Sequence, residues 1–243
     1  MQRETWTWSS SRLSEPARVT RWGHFGTPVL LFPTAGGDFE EVERFDLVRV
    51  LGELIDKGRI KVFSVDGVAA RTWLRGTHSP GHCARVQALY EDYIYEEVVP
   101  LMRRDCHSES IEVIAAGAAI GACNAVASLC RHPNVFRAAV ALSGTYDLSK
   151  YLQNGFTQDV RAASPLHYLP GLAEGPALEA LRGRFVQVAS GEGDYETPEE
   201  SRRLASALGA RHIPHHLDLW GRDHAHRWAT WREMLPRYLS AHA

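Results

Sequence analysis

Cysteine is scarce in this 243-residue sequence: Cys83, Cys106, Cys123 and Cys130, with no CxxC pair among them. That excludes a disulfide scaffold and a thiolate zinc ribbon. Cys123 and Cys130 share a face of one expected helix but lie too far apart along it to bond. Reduced thiols in a cytoplasmic protein are therefore expected. No stretch approaches the roughly 18 consecutive apolar residues of a membrane span. The opening Met1-Gln2-Arg3-Glu4-Thr5-Trp6 lacks the apolar core of a signal peptide. Charge of one sign is missing too: 27 Lys and Arg stand against 29 Asp and Glu, which gives no electrostatic case for nucleic acid or an anionic membrane. Internal repeats, low-complexity tracts and interdomain linkers are absent, so a single domain spanning 1–243 is expected. Nothing in the sequence decides between a monomer and a homo-oligomer.

What the sequence has in quantity is small residues at one place. Ile111-Glu112-Val113-Ile114-Ala115-Ala116 has strand character, and from Ile120 an Ala-rich segment has helix character. Between them stands Gly117-x-Ala119-x-Gly121. It is the G-x-S-x-G frame of a nucleophile elbow with its middle residue changed. A nucleophile on such a turn sits in a strained backbone conformation, and its neighbours two residues away must be nearly without side chains. An ordinary Gly/Ala strand-to-helix turn would look the same, so the surrounding chain has to decide.

The alternation around this turn sets the architecture. Strands are expected at Thr5–Ser9, Arg18–Trp22, Val29–Phe32, Lys61–Val65, 111–116, Ala138–Leu142, Phe185–Ala189 and His216–Trp220. Helices are expected over Phe39–Ile55, about Cys83–Met102, Ile120–Arg131, about Pro198–Leu208 and about Trp228–Leu239. Residues from Tyr146 to about Pro176 carry scattered aromatics, including Tyr151, Phe156 and Tyr168, without a clean period. They are expected to form a lid-like insertion. Two antiparallel opening strands followed by strand–helix alternation match the α/β-hydrolase fold: an eight-stranded, mostly parallel sheet with helices on both faces.

Such a fold places its chemistry at the carboxyl ends of the strands, in the chain order nucleophile, acid, histidine. Position 119 is the nucleophile position. The acid is expected after the seventh strand, where Asp194 is the first candidate, Glu196 its competitor and Glu192 less suited. The base is expected after the eighth strand, as His226 with His224 as rival; Asp223 is a further acid to consider. The oxyanion hole would use the N–H of Ile120 and one from Thr34-Ala35-Gly36-Gly37. Trp73, Tyr146 and Trp228 are candidates to line a substrate pocket, although tryptophans here could equally be core. His212-x-x-His215-His216 and His224-x-His226 raise metal binding. His215 and His216 point to opposite faces of a strand, and no cysteine is near, so no metal and no cofactor is expected.

Several stretches carry a resemblance beyond this order: 22–38 (Trp-Gly-His-Phe-Gly-Thr-Pro-Val-Leu-Leu-Phe-Pro-Thr-Ala-Gly-Gly-Asp), 93–100 (Tyr-Ile-Tyr-Glu-Glu-Val-Val-Pro), 117–122, 143–147 (Ser-Gly-Thr-Tyr-Asp) and 220–228 (Trp-Gly-Arg-Asp-His-Ala-His-Arg-Trp). Through them the chain resembles, over nearly its whole length, the esterase branch of the α/β-hydrolases that includes enterochelin-esterase-like and esterase D-like proteins. The resemblance implies Ser-His-acid acyl hydrolysis, with Ser where this chain has Ala119. It also favours His226 over His224 through a His-x-Trp pattern before the last helix. Cys123 lies one turn into the helix and cannot replace the missing hydroxyl.

Two functional readings follow. One is a serine hydrolase of a small-molecule ester or amide, its nucleophile changed to Ala and the chain inactive as written. The other is a natural non-catalytic binding protein on the same scaffold. The aromatics suggest an apolar or aromatic group on the ligand. Ester and amide are not distinguished.

Overall fold

Runs such as Val29-Leu30-Leu31-Phe32 and Val113-Ile114-Ala115-Ala116 have no polar face, so a strand built from them must be covered on both sides. The computed structural model, which describes residues 2–152 and 157–243, shows how. The strands are β1 (Arg3–Ser9), β2 (Pro16–Trp22), β3 (Thr27–Phe32), β4 (Ile60–Val65), β5 (Val113–Ala118), β6 (Phe136–Leu142), β7 (Phe185–Ser190) and β8 (His215–Leu219). They form one sheet in the order β1-β2-β4-β3-β5-β6-β7-β8. β1 pairs antiparallel with β2, and β2 antiparallel with β4. Every later pairing is parallel. This is the α/β-hydrolase fold, with β5 at the centre.

Alternate side chains of each central strand enter opposite layers. Leu30, Phe32, Ala115, Ala139 and Val186 face one core and Val29, Leu31, Ile114, Ala116 and Val140 the other. The second layer is covered by three short helices, α1 (Glu41–Arg44), α2 (Leu47–Val50) and α3 (Gly52–Asp56), together with the C-terminal helix. The expected single helix over Phe39–Ile55 is thus broken. Asp46 enters the left-handed region at φ 63°, and the apolar spacing survives the break because each short turn still faces the same core. The first layer holds α4 (Val68–Leu74), α5 (Pro80–Tyr93), α6 (Val99–Asp105), α7 (Ile120–Arg131), α8 (Gln158–Ala163), α9 (Pro165–Tyr168), α10 (Pro176–Arg182) and α11 (Pro198–Ala210). The C-terminal helix is α12 (Trp228–His242).

Between α5 and α6 one π-helical turn, Ile94–Val98, keeps the long helix continuous from Pro80 to Asp105. The insertion over 146–176 is partly core. Tyr146, Leu148, Val160 and Leu169 are fully buried in the first layer, and its α9 packs against α7 and α11. Phe156 lies outside the described residues. All four cysteines are free. Among the described residues no helix is long and apolar enough to cross a membrane.

Candidate active site

The turn after β5 has the geometry that its glycines require. Ala119 sits at φ 53°, ψ −121°, a conformation that costs a residue with a Cβ on the order of 1–3 kcal/mol. It is held there by its neighbours. The Ala119 N–H donates to Leu142 O at 3.0 Å, and the N–H groups of Ala122 and Thr145 both donate to Ala119 O at 3.2 Å. A Cβ on Gly117 would lie 2.4 Å from the Gly121 carbonyl carbon, and one on Gly121 would lie 2.5 Å from Phe32 O. So Gly121 is glycine because α7 starts against the end of β3. The Ile120 N–H opens α7 and has no intrahelical acceptor, and Ala119 is half-buried.

The two glycines after β7 serve a different contact. A Cβ on Gly191 would lie 1.9 Å from His224 O and one on Gly193 would lie 2.5 Å from Arg222 O. The loop after β7 therefore packs backbone to backbone against the loop after β8. The His226 N–H donates to Asp194 O at 2.9 Å, and the Gly193 N–H to His224 O at 3.0 Å. This docking decides which carboxylate faces the imidazole. Glu196 turns inward, its side chain 1% exposed, with Oε2 at 3.4 Å from His226 Nδ1. Asp194 has an exposed side chain and meets His226 through its main chain alone. Glu192 pairs with Arg202 at 3.0 Å. His224 faces away, with Nδ1 at 2.8 Å from Trp220 O and Nε2 at 3.5 Å from Glu233.

Two serines also reach Glu196. Ser143, at the end of β6, donates from Oγ to Oε1 at 2.6 Å, and Ser190, at the end of β7, lies 3.2 Å from Oε2. The Trp231 indole N–H donates in turn to Ser143 Oγ at 3.1 Å. An aromatic ladder continues outward. Trp231 meets His226 edge to face at 5.0 Å, Trp228 meets Trp231 at 5.0 Å, and Phe45 stacks on Trp228 at 4.5 Å.

In the loop after β3, the Thr34 N–H and Oγ1–H donate to Glu41 at 2.7 and 2.6 Å. Glu41 is buried, and burial raises its carboxyl above the ordinary value even though the Thr34 bonds oppose this. Gly37 leaves room for that carboxylate, since a Cβ there would lie 2.3 Å from Glu41 Oε1. The Thr34 amide is thus already occupied. The half-buried Ala35 donates from its amide to no acceptor among the described residues.

The structure thus brings Ala119, Glu196, His226 and the two loops to the carboxyl edge of the sheet. It does not bring Trp73 and Tyr146 there. Trp73 is 1% exposed, its indole N–H donating to Gln87 at 3.1 Å, and Tyr146 is 0% exposed. Both are core, because large rings on the helix side fill the layer beneath α5 and α7. Trp228 is half-buried at the ladder. Ser143 and Glu41 are absent from the sequence expectation. Ser143 follows the expected strand Ala138–Leu142, but nothing in the sequence shows that it turns toward β7. Among the described residues no group of three or more His, Cys, Asp or Glu is arranged to hold a metal ion.

The model of the Esterase family matches residues 31–243. A comparison with curated proteins finds no match. Among solved structures, a ferulic acid esterase superposes with a TM-score of 0.74 at 19% identity, over 98% of this chain and 96% of that one. An S-formylglutathione hydrolase from Agrobacterium tumefaciens gives 0.73 at 16%, over 99% and 94%. The enterobactin esterase FES from Shigella flexneri gives 0.70 at 16%, over 98% of this chain but 58% of that one. At such identities these likenesses speak to the fold.

Proposed function

Starting from a chain that belongs to the esterase family of α/β-hydrolases, we propose that it carries the site of a serine ester or amide hydrolase with Ala119 at the nucleophile position. The observation that carries this reading is Ala119 itself. A residue with a Cβ is held at φ 53°, ψ −121° between two glycines with no room for side chains, in a sheet whose loops after β7 and β8 set a buried carboxylate against a histidine. Backbone strain persists where the surroundings over-determine it, and an elbow of this kind serves to present an Oγ.

With a serine at 119, its Oγ attacks the substrate carbonyl carbon while His226 takes the hydroxyl proton at Nε2. Glu196 accepts from Nδ1–H and stabilises the imidazolium. The negative oxygen of the tetrahedral intermediate receives N–H donors from Ile120 and Ala35, not Thr34, whose amide serves Glu41. Collapse breaks the bond to the alcohol or amine, which leaves with the proton from His226. Water then repeats the sequence to free the acid and the serine. The half-exposed Phe45–Trp228 stack suits an aromatic or apolar group on a small-molecule substrate. Chemistry as described needs no cofactor, and free thiols agree with a cytoplasmic setting.

As written, with no hydroxyl at 119, the chain binds substrate without forming an acyl-enzyme. A second reading, a binding protein that never performs chemistry, draws on two observations: Ala119 and the commitment of the Thr34 amide to Glu41. Ala119→Ser separates them. The hydrolase reading expects the folded variant to hydrolyse activated aryl esters and to take a fluorophosphonate label at position 119, detected by mass spectrometry of the peptide. A folded variant that takes no label and cleaves no ester or amide leaves the binding protein.

A further inference from the structure

Four side chains at the site close into a ring. Trp231 donates to Ser143, Ser143 donates to Glu196, Glu196 faces His226, and His226 abuts the Trp231 indole at 5.0 Å and 88°. We infer that Ser143 is a positioning residue for the Glu196–His226 pair, the hydroxyl through which Trp231 fixes the orientation of the Glu196 carboxylate. Only the kinetic part of its test rests on the hydrolase reading above.

Three observations point to the hydroxyl rather than to the backbone around it. The first is its geometry. With the indole N–H on its lone pair at 3.1 Å and Glu196 Oε1 accepting at 2.6 Å, the Oγ rotor has one arrangement that satisfies both partners. The second is the lack of competitors. Glu196 makes no ion pair with Lys or Arg among the described residues, and its one ion-pair partner there is His226. Ser190 has a single proton, with Gly191 O at 2.9 Å competing against Glu196 Oε2 at 3.2 Å. A buried carboxylate needs donors to stay charged and ordered, so Ser143 is the firm one.

The third is conformational. Ser143 lies at φ 46°, held by its N–H donating to Ala189 O at 2.7 Å. Glycine adopts this region without strain, whereas a residue with a Cβ does not. A serine that stays there retains its hydroxyl at the expense of backbone comfort. Strain of this kind points to a functional constraint.

The test uses two substitutions that remove the hydroxyl but treat the backbone oppositely. Ser143→Ala keeps the Cβ in the left-handed region, and Ser143→Gly releases it. In the Ala119 protein as it stands, the far-downfield proton resonance of His226 Nδ1–H, assigned by its loss in His226→Ala, reports the bond to Glu196. Both variants should shift or broaden it, and Trp231→Phe, which removes the indole N–H, should do so more weakly. In an Ala119→Ser background both should lower kcat about 10–100-fold with KM little changed, the loss expected from one hydrogen bond to a charged group. Thermal unfolding checks that both remain folded, and Ser143→Gly, freed of the left-handed strain, should be no less stable than Ser143→Ala.

A purely structural role predicts the opposite for Ser143→Gly: full kcat and an undisturbed resonance, and either result overturns the proposal. A parent protein without the downfield resonance has no ordered Glu196–His226 bond, and the proposal falls with it. If the Ala119→Ser parent turns nothing over, the hydrolase reading fails, and the resonance alone decides the role of Ser143.

Discussion

Neutralising Glu196 is the most informative perturbation of the site, because it pits the buried carboxylate against the exposed one two residues earlier. In an Ala119→Ser background, Glu196→Gln keeps the volume and removes the charge. The amide then faces His226 Nδ1 and the Ser143 hydroxyl with one acceptor where two donors need one each. Either the imidazole takes the wrong tautomer or the serine hydroxyl loses its 2.6 Å partner. Loss of the acid's orienting role costs about 10⁴-fold in kcat, which is about 5.4 kcal/mol of barrier. The 3.4 Å separation from His226 does not weaken this expectation, since catalytic hydrogen bonds often tighten only with substrate bound. Asp194→Asn should behave differently. Its exposed side chain makes no hydrogen bond to His226, and the contact that does exist uses its carbonyl oxygen, which the substitution retains. A change within about twofold is expected, as for a surface substitution. Kinetics on an activated aryl ester, with thermal unfolding as the check on folding, measures both. Glu196→Asp, which keeps the charge and shortens the reach, should fall between the two. A folded Glu196→Gln variant within tenfold of its parent, or an Asp194→Asn variant that loses as much, would refute the assignment of Glu196.

Two further expectations concern the scaffold. Gly121→Ala forces a Cβ to 2.5 Å from Phe32 O and 2.7 Å from Pro33 O. Overpacking of this kind costs about 1–3 kcal/mol, at roughly 2–4 °C of Tm per kcal/mol for a chain this long. Gly36→Ala, with nothing within 4 Å of the new Cβ, should leave Tm unchanged or slightly raised, and calorimetry that ranks the two the other way would contradict the elbow geometry. The second expectation is a pH dependence. Burial of its side chain on α5 pushes Glu91 up from 4.5 to about 6, despite Arg131 at 2.5 Å. A carboxyl raised in the folded state contributes most below its unfolded value, and that contribution is lost as pH rises through the folded one. Between pH 4.5 and about 6 this removes about 2 kcal/mol of stability. Denaturant unfolding of Glu91→Gln should lack that decline, and an unchanged difference between the two pH values would rule it out.

The sequence by itself determined the sheet. Each of the eight strands is found within a few residues of its expected span, because apolar runs bounded by Gly, Pro and Asp turns are local signals. It also set the Gly117-x-Ala119-x-Gly121 spacing that an elbow needs, but an ordinary Gly/Ala turn shares that spacing, and only the folded backbone, with Ala119 at φ 53°, tells the two apart. What it left open depended on contacts between segments far apart in the chain. The choice between Asp194 and Glu196 is a case of this kind. Two acids two residues apart are equivalent in sequence, and only the docking of Gly191 and Gly193 against His224 and Arg222 turns one inward. Trp73 and Tyr146 could not be told from pocket residues, because burial of an aromatic is set by which helix covers it. The helix expected over Phe39–Ile55 breaks at Asp46, which is left-handed, and again at Leu51, and neither break disturbs the apolar period, so neither leaves a trace in it. The roles of Ser143 and Glu41 are not legible in the sequence for a related reason. Their hydrogen bonds join the ends of β6 and β3 to groups that only the folded sheet brings near, and sequence periodicity carries no information about such pairs.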